Sequence, residues 1–255
     1  MEREPFDPTD FERIRESVPW VAAVQAFATL ESTNDEAARL ARAGAPEGTV
    51  VVADMQTAGR GRLGRTWLAE PGTSLLASWI VRPSIPRDDF PLLTLAAATA
   101  AAEAVERESG VAITVKWPND LRAGGRKIAG ILAESIGDGA AVIGLGLNVR
   151  QSEFPPEIDA IATSLLRERS RPLGRARLLG AIMAAFAPFA SAPRAALDAY
   201  RSRCDTIGRD IRVEQPSGEG LAGRAVRIAD DGALIVDVDG IETAVAAGDV
   251  VHLRV

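Results

Sequence analysis

The chain has 255 residues, 47% of them apolar and 25% charged, with a formal net charge of −6. That balance suits a soluble globular protein with a sizeable core, either one large domain or a large and a small one. No apolar run reaches the roughly 18 residues that span a bilayer, and the opening MEREPFDPTD lacks the apolar stretch of a secretory signal, so no membrane is expected and a cytoplasmic location is the default. Cys204 is the one cysteine and His252 the one histidine. An intrachain disulfide, a cysteine-based zinc site and a multi-histidine metal site are therefore excluded, and a histidine-based triad is disfavoured. The net charge does not advertise nucleic-acid binding.

In chain order, residues 9–17 predict a short helix capped by Thr9 or Asp10, and 21–30 a strand. Thr33 with Glu36 fits a capping box for a helix over 37–43 that Gly44 closes. Strands follow at 50–53 and 74–81, separated by a polar, glycine-rich loop over 56–65. A long alanine-rich helix is expected over 92–108 and a strand over 112–116 that stops at Trp117-Pro118-Asn119-Asp120. Gly124-Gly125 marks a hairpin into strands over 127–134 and 140–149, and helices are expected over 175–189 and 193–203. Beyond Cys204 only short strands remain, at 211–214, 223–229, 233–238 and 241–246, with Asp231-Gly232 and Asp239-Gly240 as hairpin turns. The last 50 or so residues thus predict a small, separate β-barrel, and the hairpin neighbours before it argue against a purely parallel sheet.

Gly59-Arg60-Gly61-Arg62-Leu63-Gly64-Arg65 contains G-x-G-x-x-G, yet Thr66-Trp67 and Pro71-Gly72 follow where a dinucleotide-binding fold needs a helix. What the segment offers is tight turns, exposed amides and three permanent cations able to grip a phosphate or carboxylate. Self-repulsion among the arginines predicts a loop that orders only when an anion arrives. A solvated basic loop or a nucleic-acid contact is the alternative. The second cluster is Lys116-Trp117-Pro118-Asn119-Asp120 followed by Lys127. Of 29 basic residues only Lys116 and Lys127 are lysine, compact point charges where every other cation is a planar fork. Asp120 is a candidate Mg²⁺ ligand and Lys127 a candidate partner for a carboxylate or phosphate, against a plain turn and a strand-edge charge.

Together, Ser32-Thr33-Asn34, Gln56, the glycine-arginine loop with Trp67, Lys116-Trp117-Pro118-Asn119-Asp120, Lys127-Ile128-Ala129-Gly130-Ile131-Leu132 and Gly144-Leu145-Gly146-Leu147-Asn148 resemble the biotin–protein ligase family in order and spacing. The resemblance is strong from Ser32 to Asn148 and weaker beyond. It implies an α+β fold: a mixed, mainly antiparallel sheet with helices, of the class II synthetase-like ligase type, over 1–205, and a small SH3-like barrel over 206–255. It also implies a two-step reaction. Biotin and Mg-ATP give biotinyl-5′-adenylate and pyrophosphate, and a lysine of a biotin carboxyl carrier domain then takes the biotinyl group and releases AMP.

Carried over, Ser32, Thr33, Asn34, Gln56, Arg60, Gly61, Arg62 and Lys127 would contact biotin. Arg62 and Lys127 would act in catalysis by neutralising the developing charge. Arg65, Trp67, Lys116, Asn119, Asp120 and Asn148 would face ATP or the adenylate, with Asp120 toward Mg²⁺. Some family members carry an N-terminal helix-turn-helix and repress transcription. Here 31 residues precede Ser32, too few for a stable domain, so no DNA binding is expected. Some relatives pair through the central sheet, which leaves monomer and homodimer both open. Two rivals stand beside this reading: a lipoate or octanoyl ligase of the same superfamily, and a non-catalytic nucleotide- or nucleic-acid-binding module.

Overall fold

The computed structural model describes residues 6–137, 139–170, 172–214 and 220–253. Helix α1 (Pro8–Ser17), capped by Asp7, leads into β1 (Ala23–Leu30), α2 (Thr33–Arg42), β2 (Thr49–Gln56) and β3 (Ser74–Val81). The long helix α3 (Phe90–Ser109) precedes β4 (Thr114–Lys116), β5 (Asp120–Ala123), β6 (Arg126–Gly137) and β7 (Ala140–Asn148). These strands form one seven-stranded sheet in the order β1-β2-β3-β7-β6-β5-β4. The β1–β2 pair is parallel and the other ladders are antiparallel, as hairpin connections require.

All eight positions of β3 are buried because helices cover both faces of the sheet. On one face lie α3 and, after the single turn α4 (Pro156–Asp159), helix α5 (Arg175–Phe186). Helix α3 is apolar nearly all round, the signature of an element enclosed on every side; it packs on the sheet, on α5 and on α6 (Leu197–Arg203). Trp79 of β3 meets Phe186 edge-on at 5.4 Å in this layer. The other face carries α2, whose Ala37, Ala38 and Ala41 cover Val51, Ile80 and Val142. Side chains alternate between faces along a strand, so Val142, Gly144 and Gly146 all point to the α2 side.

Strands β8 (Asp210–Glu214), β9 (Gly220–Ile228), β10 (Leu234–Val238), β11 (Ile241–Val245) and β12 (Asp249–His252) make a second, antiparallel sheet in the order β11-β10-β9-β8-β12. Asp239 and Gly240 both have positive φ (52° and 87°), the geometry of a two-residue primed turn. The Trp117 indole N–H donates to the Gly232 carbonyl at 3.0 Å, and Ile211, Val213 and Val236 join the core that holds Trp117. Among the described residues no single helix is long and apolar enough to cross a membrane.

Several expected boundaries shift for identifiable reasons. Ser32, not Thr33, caps α2, accepting from the Asp35 N–H at 3.4 Å, so the helix starts at Thr33 rather than near Ala37. The helix expected over 175–189 ends at Phe186 and tightens into a 3₁₀ turn over Ala187–Phe189, where Pro188 has no N–H to continue it. The one expected over 193–203 opens with a 3₁₀ turn, Pro193–Ala196. Helix α4 and strand β12 have no counterpart among the expected elements.

Candidate active site

The strand register places Ser78, Gly144 and Leu132 in one row across the sheet, and Leu76, Gly146, Gly130 and Asp120 in the next. Beyond the N-terminus of α2 these glycines strip the sheet of side chains and leave an open floor. Two of them are required by a close approach: a Cβ on Gly144 would sit 2.0 Å from Asn34 Oδ1, and one on Gly146 would sit 2.4 Å from Trp67 Cε2. The cleft above this floor is lined by Ser32, Thr33, Asn34, Gln56, Arg60, Gly61, Arg62, Arg65, Trp67, Asn119, Asp120 and Lys127. Twelve residues expected from the sequence at the site therefore converge, although they come from α2, β2, the arginine loop, β5 and β6.

One end of the cleft is polar and tightly wired. Because Ser32 takes the cap, Thr33 and Asn34 fall in the first turn of α2, buried against the sheet. The Thr33 N–H and hydroxyl donate to Gln56 Oε1 at 2.7 and 2.9 Å. With its oxygen turned to Thr33, Gln56 leaves its amide N–H₂ for the cleft. The Ser78 hydroxyl, fully buried, donates to Asn34 Oδ1 at 2.6 Å and lies 2.8 Å from Thr33 Oγ1. Asn34 Nδ2 donates to Glu134 Oε2 at 2.7 Å and to the Leu132 carbonyl at 3.3 Å. This end can bind a neutral head group that both donates and accepts hydrogen bonds.

The other end is cationic. The arginine loop folds back on itself, with Arg60 bridged to Thr66 and the Trp67 N–H donating to the Gly59 carbonyl. Leu63 and Gly64 make its tip at positive φ. The expected self-repulsion is offset by partners outside the loop. Arg60 reaches Asp35 and Glu134, Arg62 donates to Asn119 Oδ1 at 3.2 Å and to the Gly248 carbonyl at 3.3 Å, and Arg65 pairs with Asp249. Burial lowers the Arg62 pKa while Asp120 and Asp249 oppose it; the guanidinium stays charged. The hydrogen bond that Arg65 donates to Asp249 raises the Arg65 pKa. Lys127 Nζ sits 2.6 Å from Asp120 Oδ1 and 5.7 Å from the centre of the Trp67 ring. Asn119 is pinned by Nδ2 donating to the Ile131 carbonyl at 2.8 Å.

Two expected residues are placed elsewhere. Asn148 is buried, its amide N–H₂ donating to the Thr163 carbonyl at 3.0 Å and its oxygen accepting from Ser74. It is not among the residues that line the cleft. Lys116 is also absent from the lining. It is half-buried, and burial lowers its pKa against the pull of Asp120 and Asp249. Among the described residues no group of three or more His, Cys, Asp or Glu could hold a metal. Asp120 is one carboxylate, already shared with Lys127. That donor set suits a Mg²⁺ carried on substrate phosphates, which keeps most of its own shell and needs one or two protein carboxylates. Three participants had no sequence reading: Ser78, Glu134 and Asp249.

The biotin/lipoate A/B protein ligase family model matches residues 26–148. The chain is 42% identical over 239 residues to the biotin–[acetyl-CoA-carboxylase] ligase of Mycobacterium tuberculosis, covering 88% of this chain and 86% of that one. It is 37% identical over 232 residues to the bifunctional ligase/repressor BirA of Bacillus subtilis, covering 86% of this chain and 70% of the relative. The solved biotin protein ligase of Aquifex aeolicus in complex with biotin and ATP superposes with a TM-score of 0.79 at 24% identity, over 92% of this chain and all of that one, a likeness of fold. This chain belongs to the biotin/lipoate A/B protein ligase family.

Proposed function

We infer that the chain is an ATP-dependent biotin–protein ligase. It activates biotin as biotinyl-5′-adenylate and transfers the biotinyl group to a lysine of a biotin carboxyl carrier domain, forming a C–N bond. The observation that carries this is the two-ended cleft: a neutral hydrogen-bonding end built by Thr33, Asn34 and Gln56, and a cationic end built by Arg62, Arg65 and Lys127, on one glycine floor.

In the first step a biotin carboxylate oxygen attacks the α-phosphorus of ATP and pyrophosphate leaves. The ureido head of biotin has one acceptor oxygen and two N–H donors, which the Ser32 hydroxyl, Gln56 N–H₂ and the Thr33–Asn34 pair satisfy at the polar end. Lys127 has three ammonium protons. One stays on Asp120, and two reach the biotin carboxylate and an α-phosphate oxygen, holding both anions in line against their mutual repulsion. Asp120 aims that ammonium and would be the protein ligand of a phosphate-borne Mg²⁺, which neutralises phosphate charge when bound. Arg62 covers the adenylate phosphate, Arg65 and Asn119 extend the cationic end, and Trp67 offers an indole face to adenine. In the second step the carrier amine attacks the acyl carbon and AMP leaves. Arg60, Gly61 and Arg62 keep water from the mixed anhydride until then.

A carrier domain rather than DNA is the macromolecular partner we infer, since a net charge of −6 repels a polyanion. Mass spectrometry of a carrier domain incubated with biotin, MgATP and this protein tests the reading. A gain of one biotinyl group on one lysine is expected. Pyrophosphate exchange stimulated by lipoate and not by biotin would overturn it.

A further inference from the structure

Glu134 lies on β6 opposite Val142, one row beyond the glycine floor. A single atom of it, Oε2, accepts from Asn34 Nδ2 at 2.7 Å and from Arg60 Nη2 at 2.9 Å. Asn34 belongs to the polar end and is buried; Arg60 is the first arginine of the loop that reaches over the cationic end. Two elements that handle different parts of the ligand are therefore joined through one carboxylate oxygen.

We propose that Glu134 is a positioning residue that couples occupation of the polar end to placement of the arginine loop. The proposal rests on the biotin-activating function inferred above. The Asn34 amide has two protons, given to Glu134 and the Leu132 carbonyl, while its oxygen takes the Ser78 proton. The carboxylate thus fixes which way the amide faces, because an oxygen turned toward it would be repelled. Bonds from an amide and a guanidinium to a carboxylate are charge-assisted, and because both end on one oxygen they are linked through the position of that oxygen. A ligand that fixes Asn34 fixes the carboxylate where Arg60 finds it, and the reverse follows by thermodynamic reciprocity. Asp35 also grips Arg60, at 2.6 Å, but its side chain is 54% exposed, where an ion pair contributes little.

The test reads loop order directly. Trypsin cuts after Arg60, Arg62 and Arg65, so protection of these bonds is followed against biotin concentration for the intact protein, Glu134→Ala and Glu134→Gln. The KM values for biotin and ATP are taken from biotin-dependent ATP–pyrophosphate exchange. Biotin should protect the loop of the unaltered protein. In Glu134→Ala the half-protecting biotin concentration and the biotin KM should both rise about tenfold, the loss of one partly exposed charge-assisted bond, while the ATP KM stays within about twofold. Glu134→Gln keeps an acceptor for Asn34 but loses the charge that holds Arg60. It should bind biotin nearly as the unaltered protein does, yet protect the loop less at saturation. Equal protection in all three proteins overturns the proposal, and Glu134→Gln alone decides it if the alanine variant does not fold. Exchange that does not respond to biotin in the unaltered protein overturns the functional reading instead.

Discussion

Replacing Gly144 by alanine tests the floor of the cleft with one methyl group. The new Cβ would stand 2.0 Å from Asn34 Oδ1 and 2.8 Å from its Cγ, about 1.5 Å inside the best separation of such atoms. Asn34 cannot yield cheaply, since Glu134 and the Leu132 carbonyl hold both its amide protons and Ser78 holds one lone pair of its oxygen, leaving the other for the ligand. Swinging it out forfeits two neutral hydrogen bonds at about 1 kcal/mol each and one charge-assisted bond at about 1.5 kcal/mol after solvent screening, part of which relaxation returns. A net loss of about 2–3 kcal/mol follows, near 5–10 °C in Tm for a chain of this size. Biotin loses the Asn34 contact as well, so its KM in pyrophosphate exchange should rise at least about thirtyfold, the equivalent of 2 kcal/mol. Gly174→Ala is the control: nothing lies within 4 Å of its would-be Cβ, and the change should cost no more than about 1 kcal/mol, the weaker N-cap that alanine makes for α5, with the biotin KM unmoved. A Gly144→Ala protein with a biotin KM within threefold of the parent would refute the claim that Asn34 and the bare sheet face make the polar end.

What the sequence made legible is the part whose chemistry is local. Gly59 to Arg65 reads as an anion-gripping loop because glycine and arginine carry that meaning wherever they stand. The cap of α2 lies one residue before the expected one because Ser32-x-x-Asp35 and Thr33-x-x-Glu36 are both plausible boxes. The contest is decided by a residue far along the chain, Gln56, which takes the Thr33 hydroxyl. The expected disorder of the loop counted only its own three charges, whereas Asp249 answers Arg65 from 184 residues away. Nothing in Ala247-Gly248-Asp249 marks that role; it exists only because β12 closes the second sheet beside the first. Glu134 and Ser78 were hidden for the same reason, since each acts through register across strands. One signal was present and unused: Gly144 and Gly146 alternate at the strand period, which places both on one face and announces a surface cleared for something to lie on.

Three further expectations concern the cationic end and the second sheet. Arg62→Ala should still bind biotin but lose the adenylate about tenfold faster or more, read as release of radiolabelled biotinyl-adenylate during a cold chase; an unchanged off-rate removes Arg62 from that role. Lys127→Gln should lower kcat of pyrophosphate exchange about 10²–10³-fold with little change in biotin affinity, and a loss confined to KM would make Lys127 a binding residue only. The last expectation is a pH dependence of stability carried by His252 on β12. Burial pushes its pKa down from 6.5 to about 4, with Lys116, Arg122 and Arg209 adding to the shift and Asp205 opposing it. Its ring nitrogens face Arg122 Nη1 and Thr206 Oγ1, each at 3.2 Å. The native state therefore favours neutral imidazole, and the unfolded chain binds the proton more readily. Between pH 6.5 and about 4 the unfolded state holds more protons, so this contribution is complete above pH 6.5 and declines as pH falls to about 4. The group is partly exposed, so screening reduces the loss to on the order of 2 kcal/mol. Urea denaturation of the unaltered protein and His252→Gln at pH 7.5 and pH 5 measures it: the parent should lose stability over that interval and the variant should lose less. Equal losses would mean that the proton is taken up elsewhere and that the half-buried imidazole of His252 is not what sets the acid limit.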